Sequence, residues 1–380
     1  MKKTMIFAIV GLLVFAGAAF ADSNYAELNQ YGNYGSASQT QSDSGQYARI
    51  TQYADGNSAS QTQSGNSWYG NQTQYTNNAQ IDQNGYYSSA TQYQNQNPYY
   101  YNYGYQNDAT ISQNGWYDNA TQYQDGVGNY AYINQANTYN NASQTQYGQF
   151  NSASISQYAD SNSASQYQSG TYNTAGITQG EYYLWYGDFY YTSGNSAVQE
   201  QYGDSNGAYI KQDGFGFGSN SAYQYQNGYG NGATITQTAT GSGGSNFASS
   251  SQSGNGNRAA LYQEGYGSSS SSSQTGNYND TYIVQYGYYN SSGNYDYAST
   301  SQSGDYNIAW LDQYANYSNA NIDQSGTSNN ASIYQYANYS GAYIAQAGTS
   351  NTASINQYNN YNTANLNQSG YGNNATITQN

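Results

Sequence analysis

Residues 320–379 read ANIDQ-SGTSNN-ASIYQ-YANYSG-AYIAQ-AGTSNT-ASINQ-YNNYNT-ANLNQ-SGYGNN-ATITQ. One motif recurs there every 11 residues: Ala320-x-Ile322-x-Gln324, Ala331-x-Ile333-x-Gln335 and Ala342-x-Ile344-x-Gln346. It continues as Ala353-x-Ile355-x-Gln357, Ala364-x-Leu366-x-Gln368 and Ala375-x-Ile377-x-Gln379. Asn or Ser sits two positions before the Ala, as at Asn329, Ser340, Asn351, Asn362 and Asn373, and Gly or a Tyr-rich turn follows the Gln. Inside each unit the residue types alternate with a period of two, which is the pattern of a β-strand. Asn/Ser, Ala, Ile and Gln then share one face and the intervening residues the other. Strands of about five residues between Gly/Asn/Ser/Tyr turns fit a coil with two strands per turn.

The register walks back through Ala309 and Gln313 to Ala26-x-Leu28-x-Gln30, giving 31 candidate units. The Gln holds its place in every unit except the one at Tyr186, where Tyr190 replaces it. The middle inward position alternates along the chain: Leu28, Gln39, Ile50, Gln61, then Ile81, Gln92, Ile111 and Gln122, and onward to Ile283, Thr300 and Leu311. The true repeat is therefore 22 residues, with one strand aliphatic and the next polar at its centre. Alternate strands belonging to opposite sheets explain this. The fold class read from the sequence is all-β: a two-sheet, cross-β solenoid of stacked strand-turn-strand-turn repeats. Two units break the parity, Gly70-x-Gln72-x-Gln74 and the aromatic segment 181–192. Looping both out restores it. From Ala309 onward both sheets are aliphatic inside, which makes the C-terminal stretch the candidate for tightest packing or nucleation. Insertions are expected at about 95–107 (with Pro98), 180–195, 214–218, 240–245 and 286–294, all between the Gln of one unit and the Asn/Ser of the next.

Composition narrows the chemistry. Only 7% of the residues are charged, and the chain has no Cys, no His and one Pro. A thick aliphatic core is out of reach, leaving a disordered chain or a thin repetitive β-structure with polar ladders inside. Without His or Cys there is no Ser-His-Asp triad, no thiolate nucleophile and no imidazole or thiolate metal site. No cofactor and no enzymatic activity are expected. The net charge of −15 with five basic residues lacks the footprint of a nucleic-acid binder.

The first residues read as a secretory signal peptide, residues 1–21: Lys2 and Lys3, an apolar run from Ile6 to Phe15, and Ala19-Phe20-Ala21 as the cleavage site. Removing it moves the charge from −15 to −17 and leaves Arg49, Lys211 and Arg258 as the basic residues. Residues 22–380 then form a single repeat domain with no further membrane span. Each coil adds about 4.8 Å, so some 15 coils make a rod of roughly 70 Å. The terminal units carry no helix, Pro or bulky cap, and open strand edges of this kind template pairing with another chain.

The string Gln324-Ser325-Gly326-Thr327-Ser328-Asn329-Asn330-Ala331-Ser332-Ile333-Tyr334-Gln335 resembles the curlin repeat of bacterial curli fibres. So does Gln346-Ala347-Gly348-Thr349-Ser350-Asn351-Thr352-Ala353-Ser354-Ile355-Asn356-Gln357. The resemblance spans nearly all of residues 22–380, diluted between about 180 and 310. It implies a functional amyloid of the biofilm matrix, for adhesion and surface colonisation. It also implies secretion through both membranes by a dedicated outer-membrane export channel, and a nucleator subunit at the cell surface. The chain departs from the family in having many more units, far more Tyr, and no non-repeat segment between the leader and the first unit.

Tyr is abundant, at 53 residues. Many follow a Gln, as at Tyr31, Tyr53, Tyr123, Tyr147, Tyr314, Tyr336 and Tyr358, where they are expected on turns or outer faces. Outward acidic residues such as Asp82, Asp312 and Asp323 are expected to keep the exported chain soluble. No acidic cluster has calcium-loop spacing. The rival reading of the whole is a capped monomeric solenoid acting as a surface adhesin or ligand-binding protein.

Overall fold

The computed structural model describes residues 24–42, 45–65, 77–96, 106–180, 183–185, 188–190, 193–215, 219–240, 245–265, 267–287 and 295–380. Those residues hold 31 strands, from β1 (Tyr25–Gln30) and β2 (Ser36–Gln41) to β30 (Thr363–Tyr371) and β31 (Asn374–Gln379). Odd and even strands separate into two parallel sheets, one of 15 strands and one of 14. The chain winds from one sheet to the other at every turn. Each strand therefore pairs with the strand one coil away, in register from Ala to Gln: Ala331 opposite Ala353, Ile333 opposite Ile355, Gln335 opposite Gln357. This is a β-solenoid of about 14 turns with a repeat of about 22 residues.

The sheets pass over the parity-breaking segments. β3 (Tyr47–Gln52) pairs directly with β5 (Asn78–Gln83), and β4 (Ser58–Gly65) with β6 (Ser89–Gln96). The unit at Gly70 between them lies outside the described residues. Likewise β12 (Ser163–Thr171) pairs with β16 (Ser196–Asp204), and β13 (Thr174–Gln179) with β17 (Gly207–Phe215). Between these lies a short antiparallel hairpin, β14 (Tyr183–Trp185) and β15 (Asp188–Tyr190), which joins neither sheet. Residues 1–21 also lie outside the described residues, as do 97–105, 216–218, 241–244 and 288–294 within the expected insertions.

The core is a thin seam between the sheets. Ile50, Ile81, Ile111 and Ile133 line one side, and Gln61, Gln92, Gln122 and Gln144 the other, all buried. Ala beside each of them keeps the sheets close. From Ala309 on, Ile322, Ile344 and Leu366 replace the polar side and face Leu311, Ile333 and Ile355, all buried.

Two different arcs join the strands. The arc from even to odd strands carries a glycine column, Gly304, Gly326, Gly348 and Gly370, at φ of 108 to 112°. The arc from odd to even strands places a residue in the left-handed region, often Tyr: Tyr117, Tyr139, Tyr317, Tyr339 and Tyr361. That conformation costs an L-residue about 1–2 kcal/mol. The stacking of these rings on each other, worth about 0.5–1.5 kcal/mol per pair, offsets it. Tyr317, Tyr339 and Tyr361 stack at 5.1 and 5.2 Å, within 5° of parallel.

Candidate functional site

Three glutamine ladders line the seam: two run the length of the solenoid, and the third, at the middle of the even strands, runs from Gln39 to Gln224. Gln335 accepts from Gln313 Nε2 (2.8 Å) and donates through its own Nε2 to Gln357 Oε1 (2.8 Å). The other proton of that Nε2 goes to the Asn319 carbonyl (3.2 Å) on the opposing sheet. Gln324, Gln346 and Gln368 repeat the arrangement on the even strands at 2.9 and 2.8 Å. The middle residues form the third ladder, with Gln92 donating to Gln122 Oε1 (2.9 Å) and to the Gln80 carbonyl (2.9 Å). One amide thus ties adjacent coils along the axis and the two sheets across it. Because the backbone carbonyl fixes one N–H, every glutamine-to-glutamine bond runs toward higher residue numbers, and each glutamine ladder is polar.

Each arc has its own ladder. Asn351 N–H and Nδ2 both donate to Asn329 Oδ1 (3.1 and 3.0 Å), and Nδ2 also reaches the Gly370 carbonyl (3.1 Å). Asn373 N–H donates to Asn351 Oδ1 in turn (3.1 Å). On the opposite arc the column is mixed: Asn362 N–H donates to Ser340 Oγ (3.3 Å) and Ser340 N–H to Ser318 Oγ (3.2 Å). The residues singled out from the sequence fall on this frame. Ala320, Ala331, Ala342, Ala353 and Ala364 are buried beside Ile322, Ile333, Ile344, Ile355 and Leu366, while Ala375, Ile377 and Gln379 of the last strand are half-exposed. Asn362 is half-exposed and Asn373 exposed, both in the last coil.

Removing one rung should be costly. Gln335→Leu keeps the volume but strands the Gln313 donor, the Gln357 acceptor and the Asn319 carbonyl in a dry seam. We expect a loss of about 3 kcal/mol, since each buried orphan costs about 1–3 kcal/mol. A lower urea midpoint at unchanged slope is the readout, and an unchanged midpoint would show the ladder to be energetically idle.

Two carboxyls sit inside the mixed arc column, and the sequence reading missed both. Asp118 and Asp296 occupy the position two before the strand's small residue, where Asn or Ser stands elsewhere, so the register alone marks them as inward. Each is 1% exposed. Asp118 Oδ1 accepts from the Asn140 N–H (3.0 Å) and Asp296 Oδ1 from the Ser318 N–H (2.9 Å), while the second oxygen of each is buried without a partner. Burial pushes Asp118 up to about 6 and Asp296 up to about 8, against the lowering effect of those N–H groups.

The outer faces carry the tyrosines. Tyr31, Tyr53, Tyr147, Tyr336 and Tyr358 are exposed, and Tyr123 and Tyr314 are half-buried. The outward charges include Arg49 bridged to Asp82 on the next rung at 2.9 Å and Lys211 paired with Asp213 at 3.0 Å. Among the described residues no group of three or more His, Cys, Asp and Glu is placed to hold a metal ion, and no helix is long and apolar enough to cross a membrane.

The end coils differ from the interior. At the β30–β31 end, Gln368 and Gln379 each give one Nε2 proton to a carbonyl, of Thr352 (3.0 Å) and Thr363 (3.1 Å). The proton that continues the ladder elsewhere has no acceptor there among the described residues. At the β1–β2 end, Gln30, Gln39 and Gln41 donate to Gln52, Gln61 and Gln63 (2.7, 3.1 and 3.0 Å), and their own Oε1 atoms face outward along the axis with no ladder donor among the described residues. Along the two full-length glutamine ladders one end offers amide donors and the other amide acceptors, each beside half-exposed strand residues.

Residues 326–358, which contain three consecutive strands of the ladder, match the family model of the curlin associated repeat. The match supports a curlin-repeat family assignment. No curated protein matches the chain.

Proposed function

We propose that this curlin-repeat chain is a structural subunit that stacks on copies of itself, head to tail, into an extracellular amyloid-like fibre of a biofilm matrix. The observation that carries the reading is the complementarity of the two solenoid ends. Gln30 and Gln41 at the acceptor end and Gln379 and Gln368 at the donor end belong to two polar ladders that run the length of the solenoid. A second copy whose β1–β2 end meets β30–β31 therefore continues the amide bonds in the direction they already run. Repetition of a contact that does not close on itself produces a filament. In this reading residues 1–21 direct export, and an outer-membrane channel and a surface nucleator are the partners of secretion and assembly.

The test is assembly of the chain without residues 1–21, diluted from denaturant and followed with an amyloid dye. The expected course is a lag followed by growth, and sonicated fibre fragments should abolish the lag. A persistent β-rich monomer that seeds do not recruit would overturn the reading and favour a capped adhesin.

A further inference from the structure

Six tyrosines form an unbroken column on the outer face of the even sheet. They are Tyr93 on β6, Tyr123 on β8 (Asn119–Val127), Tyr147 on β10 (Asn141–Gln149), Tyr167 on β12, Tyr202 on β16 and Tyr225 on β18 (Ser221–Tyr229). Successive ring centroids lie 4.9, 5.4, 5.8, 5.2 and 5.7 Å apart. The first step is a direct rung. The others are diagonal, because Tyr147 stands opposite Asp125 and Tyr202 opposite Asn227. The first pair is near parallel, at 7°, whereas the diagonal pairs are tilted by 39 to 50°. Rings at this spacing make the column a continuous line of contacts between neighbouring phenols. It is well suited to reaction between neighbours.

We propose that this column is a site of oxidative tyrosine coupling, in which hydrogen peroxide and a peroxidase staple adjacent coils through dityrosine bonds. Each of two neighbouring phenols loses one electron and its hydroxyl proton to give a phenoxyl radical. The radicals join through the ring carbons ortho to oxygen, and the hydrogen on each joined carbon then passes to its oxygen. The pair has given up two electrons and two protons, which reduce one peroxide to two waters. Burial and the carboxylate of Asp125 push the Tyr123 hydroxyl up to about 12, so that phenol enters the reaction neutral. Every bond made in the column links residues at least 20 positions apart in sequence, and so closes one coil on the next. The inference concerns contacts within one chain and does not depend on fibre formation.

The sparse basic residues make the test simple. Trypsin cuts the unfolded chain after Arg49, Lys211 and Arg258, so Tyr202 and Tyr225 fall on different fragments, 50–211 and 212–258. The folded chain is oxidised at low concentration, quenched, unfolded and digested. A covalently joined 50–211/212–258 species is expected, with dityrosine fluorescence and a mass two hydrogens below the sum of the fragments. Tyr225→Phe preserves the packing and should remove most of it, although Tyr229 on the same fragment is more exposed (61%). Equal joining in Tyr225→Phe, equal joining in the chain oxidised while unfolded, or dityrosine confined to links between copies would each overturn the proposal. Because the readout is intramolecular, a chain that fails to form fibres still tests it.

Discussion

Asp296→Asn is expected to stabilise the solenoid at neutral pH by about 4 kcal/mol, because about three units of the upward pKa displacement lie below pH 7 and each is worth about 1.36 kcal/mol. The cause is local. In the same arc column Asn140 and Asn162 each use Oδ1 to accept from the next coil and Nδ2 to donate to a carbonyl of their own arc, of Ala136 (2.8 Å) and Ala159 (3.0 Å). The position therefore wants one acceptor and one donor. A carboxylate at 296 supplies the acceptor for Ser318 but leaves its other oxygen buried without a partner. The sign follows from the direction of the shift. Below about pH 4 the carboxyl is neutral in both folded and unfolded chains and costs nothing. Between about 4 and 8 the unfolded chain releases a proton that the folded chain holds, and stability falls as pH rises. Above about 8 the full penalty is present and the curve flattens. Denaturant midpoints across this range should fall for the wild type and lose most of that slope in Asp296→Asn. Asp118→Asn should do the same over a narrower window, from about 4 to about 6. Parallel curves for wild type and Asp296→Asn would mean that the carboxyl reaches water.

Gly326→Ala is expected to be the most damaging conservative change, at about 3 kcal/mol or more. Gly326 stands at φ 108°, a conformation that side chains avoid, and a Cβ there would overlap the carbonyl oxygen of Gly348 on the next coil. That carbonyl also accepts from Asn329 Nδ2 (3.0 Å), so moving it aside breaks the asparagine ladder as well. Gly372→Ala separates the two contributions. Its φ is 67° and nothing lies within 4 Å of the added carbon, so only the left-handed conformation is penalised, by about 1 kcal/mol. Thermal or urea unfolding of the two variants side by side gives the comparison. Equal losses would show that the coils separate enough at the arc to admit a side chain.

Much of this architecture was legible in the sequence because a solenoid turns spacing into contact. The switch between Ile and Gln at the middle position assigned alternate strands to opposite sheets. The 22-residue period then gave the pairing of Gln335 with Gln313 and Gln357. The break in parity at 181–192 marked a segment outside the sheets, and β14 and β15 there pair only with each other. Other features needed coordinates. The tyrosine column was hidden because Tyr123 and Tyr147 occupy different positions in their strands and meet only on the diagonal. The left-handed tyrosines of the arcs were hidden because their strain is offset by stacking on the next coil, which no local propensity records. Asp118 and Asp296 were readable in principle, being inward by register. They passed as members of a polar column whose hydrogen-bond demand, one donor and one acceptor, appears only once the arcs are built.

X-ray fibre diffraction from aligned assemblies of the chain without residues 1–21 tests the central claim most directly. A polar ladder continued from copy to copy predicts a meridional reflection near 4.8 Å from strand spacing and an equatorial one near 10 Å from sheet packing. Aligned material that lacks the 4.8 Å meridional reflection, or that carries it on the equator, would contradict the end-to-end continuation of the solenoid along the fibre.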